Sequence, residues 1–163
     1  MARTLILLRH GKSAYPDGVA DHERPLAARG EREAGLAGDW IRATLPPVDE
    51  VRCSTALRTR ATLAATGITA PAHYESGIYD ADEAELIELV RLTADAVRTL
   101  LLVGHFPGMP ETAWELAADR TGDAAVALAR KFPTSALAVL EFELPWSEIG
   151  PGSGELTHFH VPR

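Results

Sequence analysis

Short, unbroken apolar runs alternate along this chain with longer stretches whose apolar residues recur every three to four positions. Thr4–Leu8 reads as a buried strand that stops on Arg9, His10 and Gly11, and residues 9–25 are polar and turn-rich. From Leu26 to Leu45 a helical period puts Ala34, Ala37, Trp40, Ile41 and Leu45 on one face. Pro46-Pro47 then stops that helix, because proline lacks the N–H a continuing turn needs. "EVRCS" reads as a second strand and "TALRTRATLAAT" as a helix ended by Gly67. "AHYE" is a further short strand candidate. In "DADEAELIELVRL", Asp82 and Glu85 are spaced as an N-cap and its partner three residues on. "RTLLLVG" is a continuous apolar run of the kind buried on both faces.

A helix is expected to begin at Pro110 and to carry Trp114 and Leu116 inward. "SALAVLEFEL" and "GELTHFHV" alternate with period two and read as an antiparallel closing pair. The whole pattern predicts an α/β fold, a three-layer α/β/α sandwich around a mostly parallel sheet.

Length and composition narrow the function classes. A chain of 163 residues is expected to form one domain over 1–163, and 46% hydrophobic with 24% charged residues is ordinary for a globular protein. No apolar run approaches a membrane span, and the N-terminal "LILL" is too short for a signal-peptide core. Cys53 stands alone, which excludes an internal disulfide and predicts a buried structural thiol and a cytoplasmic location. A formal charge of −7 argues against nucleic acid as a partner.

In sheets of this kind ligands gather at the carboxyl ends of the parallel strands. Three such ends are expected: Arg9-His10-Gly11, the helix after "VRCS" that carries Arg58, and "LLLVGHFPG" with Gly104 and His105. Each residue alone has an ordinary reading, as a satisfied polar residue or a solvated ion pair. Three cationic junctions on one edge have no structural economy to explain them. Arginine forks and helix N-termini suit phosphate oxygens. Neither a Walker loop, a G-x-G-x-x-G, nor a carboxylate cluster for Mg²⁺ is present, so no cofactor and no metal are expected. A phosphate site with two arginines, two histidines and no metal points to a histidine that attacks phosphorus itself. The neighbouring glycines are expected to let a ligand approach the backbone.

"LLRHGKS", "STALRTRAT" and "LLLVGHFPG" resemble the three motifs of the histidine phosphatase superfamily, whose fold is that of phosphoglycerate mutase. The short length, "DHERPLAARG" and "FPTSALAVLEF" resemble its SixA-type phosphohistidine phosphatase branch, and the likeness runs from Thr4 to about Phe142. The resemblance implies that His10 is the nucleophile, with Arg9, Arg58 and His105 holding the phosphoryl oxygens and His105 acting best as a cation. It also implies Arg24 as a further phosphate ligand and Asp21 as a catalytic carboxylate. The substrate would be a phosphohistidine protein. A small phosphorylated metabolite is the alternative, and a phosphate-binding regulatory module lies outside enzymes altogether.

Two departures stand out. Phe106 replaces the Asn common in the third motif, which is expected to alter the pocket wall. Where larger relatives carry a Glu as proton donor, this chain reads "ESGIYDADEAE". Asp80 is the candidate there, and it equally reads as a turn residue. His158 and His160 face the same way on the last strand; with no third ligand nearby they are expected to form an edge-strand surface, not a metal pair. Asp80–Glu88 reads as a solvated, capped helix face.

Overall fold

The computed structural model describes residues 2–163. Arg3–Arg9 form β1, Glu50–Ser54 β2, Ala72–Glu75 β3, Thr99–Gly104 β4, Leu137–Phe142 β5 and Glu155–His160 β6. They make one sheet in the order β3-β2-β4-β1-β5-β6. The first four are mutually parallel, and β5 and β6 close the sheet antiparallel. The anticipated sandwich is therefore present, with its antiparallel pair at one edge.

β1 lies at the centre because it can be buried on both faces. Leu5, Ile6, Leu7 and Leu8 are all 0% exposed. Successive strand residues point to opposite faces, so Leu5 and Leu7 join one core, Ile6 and Leu8 the other. At roughly 2 kcal/mol for each fully buried leucine or isoleucine, this strand is firmly anchored. Whatever follows Leu8 is presented on a rigid support.

α1 (Ala28–Thr44) and α2 (Leu57–Thr66) cover the Ile6/Leu8 face; α3 (Glu83–Arg91), α4 (Gly108–Leu116) and α5 (Asp123–Arg130) lie on the other. Each boundary has a local cause. Gly67 ends α2 at φ +74°, the left-handed region that favours glycine. Asp82 and Glu85 form the expected reciprocal cap of α3, at 2.9 and 3.2 Å. α4 begins two residues before the expected Pro110, which still falls in the first turn, where no N–H is needed. Leu116 is buried as anticipated, whereas Trp114 is half-buried and borders a cleft. The periodicity leaves residues 117–134 unassigned; α5 forms there and buries only Ala125 and Leu128. Among the described residues no helix is long and apolar enough to cross a membrane.

His158 and His160 lie on the edge strand β6, as expected, but they are half-buried rather than free. The His160 ring stacks on Trp40 of α1 at 4.6 Å between centroids, and His158 meets the same indole edge-on at 5.4 Å. Cys53 is buried and unpaired, and burial pushes its thiol up to about 12.

The glycines near the strand ends serve packing rather than ligand clearance. A Cβ on Gly11 would lie 2.7 Å from the Gly30 carbonyl oxygen, and one on Gly30 only 2.2 Å from that of Lys12. α1 therefore packs backbone to backbone against the loop that leaves β1. This contact predicts opposite outcomes for two glycines of one helix. Gly30→Ala should cost about 2 kcal/mol, because overpacking against backbone outweighs alanine's better helix propensity. Gly35→Ala, whose Cβ would meet nothing nearer than 3.6 Å, should gain up to about 1 kcal/mol. Urea unfolding of both variants checks the pair.

Candidate active site

The end of β1 is held on both sides. Arg9 N–H donates to Ala136 O and His10 N–H to Gly104 O, each at 3.0 Å, while Ser135 N–H donates to His10 O at 3.0 Å. Ser135 achieves this with φ 65°, an uncommon backbone for a residue with a side chain. His10 is thus fixed between β4 and the turn before β5.

Its ring is fixed as well. Nδ1 lies 2.7 Å from the Gly11 carbonyl oxygen. A carbonyl only accepts, so Nδ1 carries the proton and Nε2 presents a lone pair. Gly11 is braced in turn: its N–H donates to Thr62 Oγ1 at 2.9 Å, and that hydroxyl donates to Arg58 O within α2 at 2.7 Å. Burial pushes His10 down to about 4; the Gly11 bond opposes this, and Arg58, Arg9 and Arg24 add to it. His10 is therefore neutral near pH 7.

The other predicted residues converge on it. His105 follows β4, with its ring centroid 5.4 Å from that of His10. Its Nε2 is 2.8 Å from Ser54 Oγ at the end of β2. Its Nδ1 is buried and has no protein partner. Arg58, in the first turn of α2, donates through Nη1 to Asp21 O at 2.8 Å and through Nη2 to Asp21 Oδ2 at 3.2 Å. Arg9 donates through Nη1 to Phe132 O at 2.8 Å. Arg24 reaches in from the loop after β1, with Nε on Asp21 Oδ1 at 3.0 Å and Nη1 on Ser13 Oγ at 2.6 Å.

Arg9 Nε, Arg58 Nε and His105 Nδ1 are all buried without a protein partner. Leaving such a group unsatisfied costs about 1–3 kcal/mol, and three of them in one site suit a ligand with several oxygens.

Two sequence expectations change in character. His105 was expected to work as a cation. Burial first, then the charges of His10 and Arg58, push it down to about 3, so within the protein's own field it is neutral. Asp21 was expected as a catalytic carboxylate, and it does reach the site. Tyr79 Oη donates to its Oδ2, and this bond, followed by those from Arg24 and Arg58, holds the carboxyl well below the usual carboxylate range. An acid that stays ionised is a poor proton donor; Asp21 aligns two arginines instead.

Tyr79 itself went unread, because "GIYDAD" carries only turn signals. Its ring meets His105 edge-on at 5.4 Å, and Arg58 lies 5.8 Å above it. Ser54 and Thr62 were equally silent in sequence, since buried hydroxyls of this kind have no spacing signature. Asp80 is exposed and borders a cavity of about 140 Å³ shared with Tyr79 and His105. Phe106 is 54% exposed with the Arg9 guanidinium 4.9 Å from its ring centroid, so it does form pocket wall. Among the described residues no group of three or more His, Cys, Asp or Glu side chains gathers in a metal-ligating cluster.

Comparison with known proteins places this geometry in a family. The family model of the histidine phosphatase superfamily (branch 1) matches residues 5–89. An uncharacterized protein of Mycobacterium tuberculosis (strain ATCC 25618 / H37Rv) is 55% identical over 158 residues, covering 96% of this chain and all of that protein. A structure from Nakamurella multipartitia, provisionally named phosphohistidine phosphatase SixA, is 39% identical with a TM-score of 0.92, covering 99% of this chain and 97% of its own. The protein histidine phosphatase SixA complexed with tungstate is 25% identical with a TM-score of 0.78, covering 98% and 97%. With Arg9, His10, Arg58 and His105 gathered at one sheet edge, the chain belongs to the histidine phosphatase superfamily and is of its SixA type.

Proposed function

We propose that this chain is a metal-independent phosphatase that removes the phosphoryl group of a phosphohistidine protein through a phosphohistidine on His10. The observation that carries the reading is the 2.7 Å bond from His10 Nδ1 to the Gly11 carbonyl, which leaves Nε2 as a neutral, fixed nucleophile. Arg9, Arg58, Arg24 and His105 are the proposed ligands of the phosphoryl oxygens, a preorganised positive site for charge that develops in the transition state. Tungstate is a tetrahedral oxyanion like phosphate, and its presence in a SixA relative supports the same use of this site.

In the first step Nε2 forms a bond to phosphorus as the bond to the substrate's imidazole nitrogen breaks, and that electron pair returns to the leaving ring. If the substrate ring carries a proton on its other nitrogen, it departs neutral and needs no acid. This suits a site whose nearest carboxylate, Asp21, stays ionised. In the second step water forms the new P–O bond and the N–P bond breaks. His10 recovers its lone pair, keeps its Nδ1 proton, and the water's proton leaves with phosphate or to solvent. A phosphate dianion raises the pKa of His105, whose Nδ1 then donates to oxygen. The buried, unpaired Cys53 fits a reducing cytoplasm, where we place the protein.

Phosphate release from a phosphohistidine protein, measured beside a panel of small phosphomonoesters, tests the substrate. Good turnover of monoesters with none of the phosphoprotein would sink the phosphohistidine reading. His10→Ala should reduce turnover to background while vanadate still binds; a phosphate-binding module without catalysis would show no turnover in either form. EDTA treatment should leave the rate unchanged.

The depressed histidines also set a pH dependence of stability. Both imidazoles titrate near 6.5 when unfolded, and fall to about 4 for His10 and about 3 for His105 in the fold. Below pH 6.5 the unfolded chain binds more protons, so their contribution, complete above 6.5, is lost as pH falls toward 4 and 3. Urea midpoints should decline across that window, and His10→Ala should decline less steeply. A flat profile from pH 7 to about 4 would refute the neutral assignment.

A further inference from the structure

A cleft of about 600 Å³ opens beside the phosphoryl site, between α4 and the segment leading from the end of α5 into β5. Arg9 belongs to both. Its guanidinium is held to Phe132 O of one cleft wall at 2.8 Å and lies 4.9 Å from the Phe106 ring at the cleft's head. Arg9 therefore connects the proposed phosphoryl site to this cleft.

The cleft is lined by Phe106, Trp114 and Phe132 together with three prolines. Its charged lining comes from two sides: Glu83, Glu111 and Glu115 from α3 and α4, Arg130 and Lys131 from the end of α5. Aromatic side chains and prolines mixed with charged groups, in a cleft open to solvent, suit a surface that meets a polypeptide. A site for a polar metabolite instead places fixed polar groups deep inside. Here Arg9 Nε is the one buried, unpartnered side-chain polar atom among the cleft's residues.

Glu83 and Glu111 lie next to each other on the acidic side, whereas Glu115 is paired with Arg120 at 4.0 Å. The Glu111 carboxyl is pushed up by loss of solvent first and then by its neighbour Glu83. Two adjacent carboxyls in this state gain from a positive charge supplied by a ligand.

We propose that this cleft is the leaving-group subsite and takes the polypeptide segment flanking the phosphorylated residue, with an apolar side chain against Phe106, Trp114 and Phe132 and a lysine or arginine against Glu83 and Glu111. The assignment rests on the phosphohistidine reading and adds selection among such substrates. Glu111 is exposed and takes no part in phosphoryl binding. Glu111→Lys puts a cation beside Glu83 and so cancels the charge of the Glu83–Glu111 pair.

The test uses two sets of phosphohistidine peptides with the same apolar residues, one flanked by lysines and one by glutamates, together with free phosphohistidine. The wild-type protein should favour the lysine set by about fivefold or more in kcat/KM, as expected for one or two charge contacts. Glu111→Lys should erase or invert that preference with turnover of free phosphohistidine unchanged, which also verifies that the variant is folded. Equal rates on both peptide sets overturn the subsite and leave the phosphatase reading standing. A preference that survives Glu111→Lys also overturns it. No turnover of any phosphohistidine compound, with a small phosphomonoester consumed, overturns both.

Discussion

One hydrogen bond organises the site: the Nδ1–H of His10 on the carbonyl of the residue that follows it. It chooses the tautomer, fixes the ring and leaves the other nitrogen bare. The bond depends on where the Gly11 peptide points, and that peptide is set from several directions. β4 and Ser135 hold the backbone of His10, Thr62 takes the Gly11 N–H, and Gly30 of α1 occupies the space a side chain would need. For the nucleophile proposed above, a ring free to rotate would spend part of its time with the wrong nitrogen forward. Here the surrounding fold removes that freedom before any substrate arrives.

The charge of the site runs against the charge of the chain. A protein of net −7 gathers Arg9, Arg24 and Arg58 around a neutral imidazole. Like charges at close range need a counterweight, and Asp21 supplies it from a loop, touching two of the three guanidiniums while Tyr79 caps its remaining side. Asp21 holds Arg58 at two points, through its backbone carbonyl and its carboxylate, and so fixes its direction. This explains why Asp21 is near the site without being suited to proton transfer. Its ionisation is stabilised by the cations it aligns.

Much of this was legible in the chain, and the reason is physical. β1 and β4 are buried on both faces, so they had to be unbroken apolar runs, and the polar residues that end them stand out sharply. Arg9, His10 and His105 were therefore easy to find, and Arg58 followed from the strand-to-helix junction. Asp21 and Arg24 lie in a loop, where no periodicity constrains them; only family likeness pointed there. α5 buries just two residues, too few to make a pattern. Gly11 was read as clearance for a ligand. The Cβ position faces Gly30, nineteen residues away in sequence and in another element, and long-range backbone contacts leave no local signal.

The two sides of the catalytic edge are built differently, and the difference bears on substrate size. On one side Asp21, Tyr79 and His22 draw the loop after β1 against the segment after β3: Tyr79 donates to Asp21, His22 meets Tyr79 edge-on at 5.0 Å, and His22 Nε2 lies 2.9 Å from Thr55 Oγ1. Side chains from separate segments thus close that flank. On the other side the wall is apolar, Phe106 stands more than half exposed, and the cleft beneath it remains open to solvent. A small ester could be sealed between two closed flanks and would gain from exclusion of water. One closed and one open flank instead orient a phosphoryl group while leaving room for whatever carries it. The open flank suits the macromolecular carrier proposed above, and the leaving imidazole of that proposal, which brings its own proton, tolerates the water such openness admits.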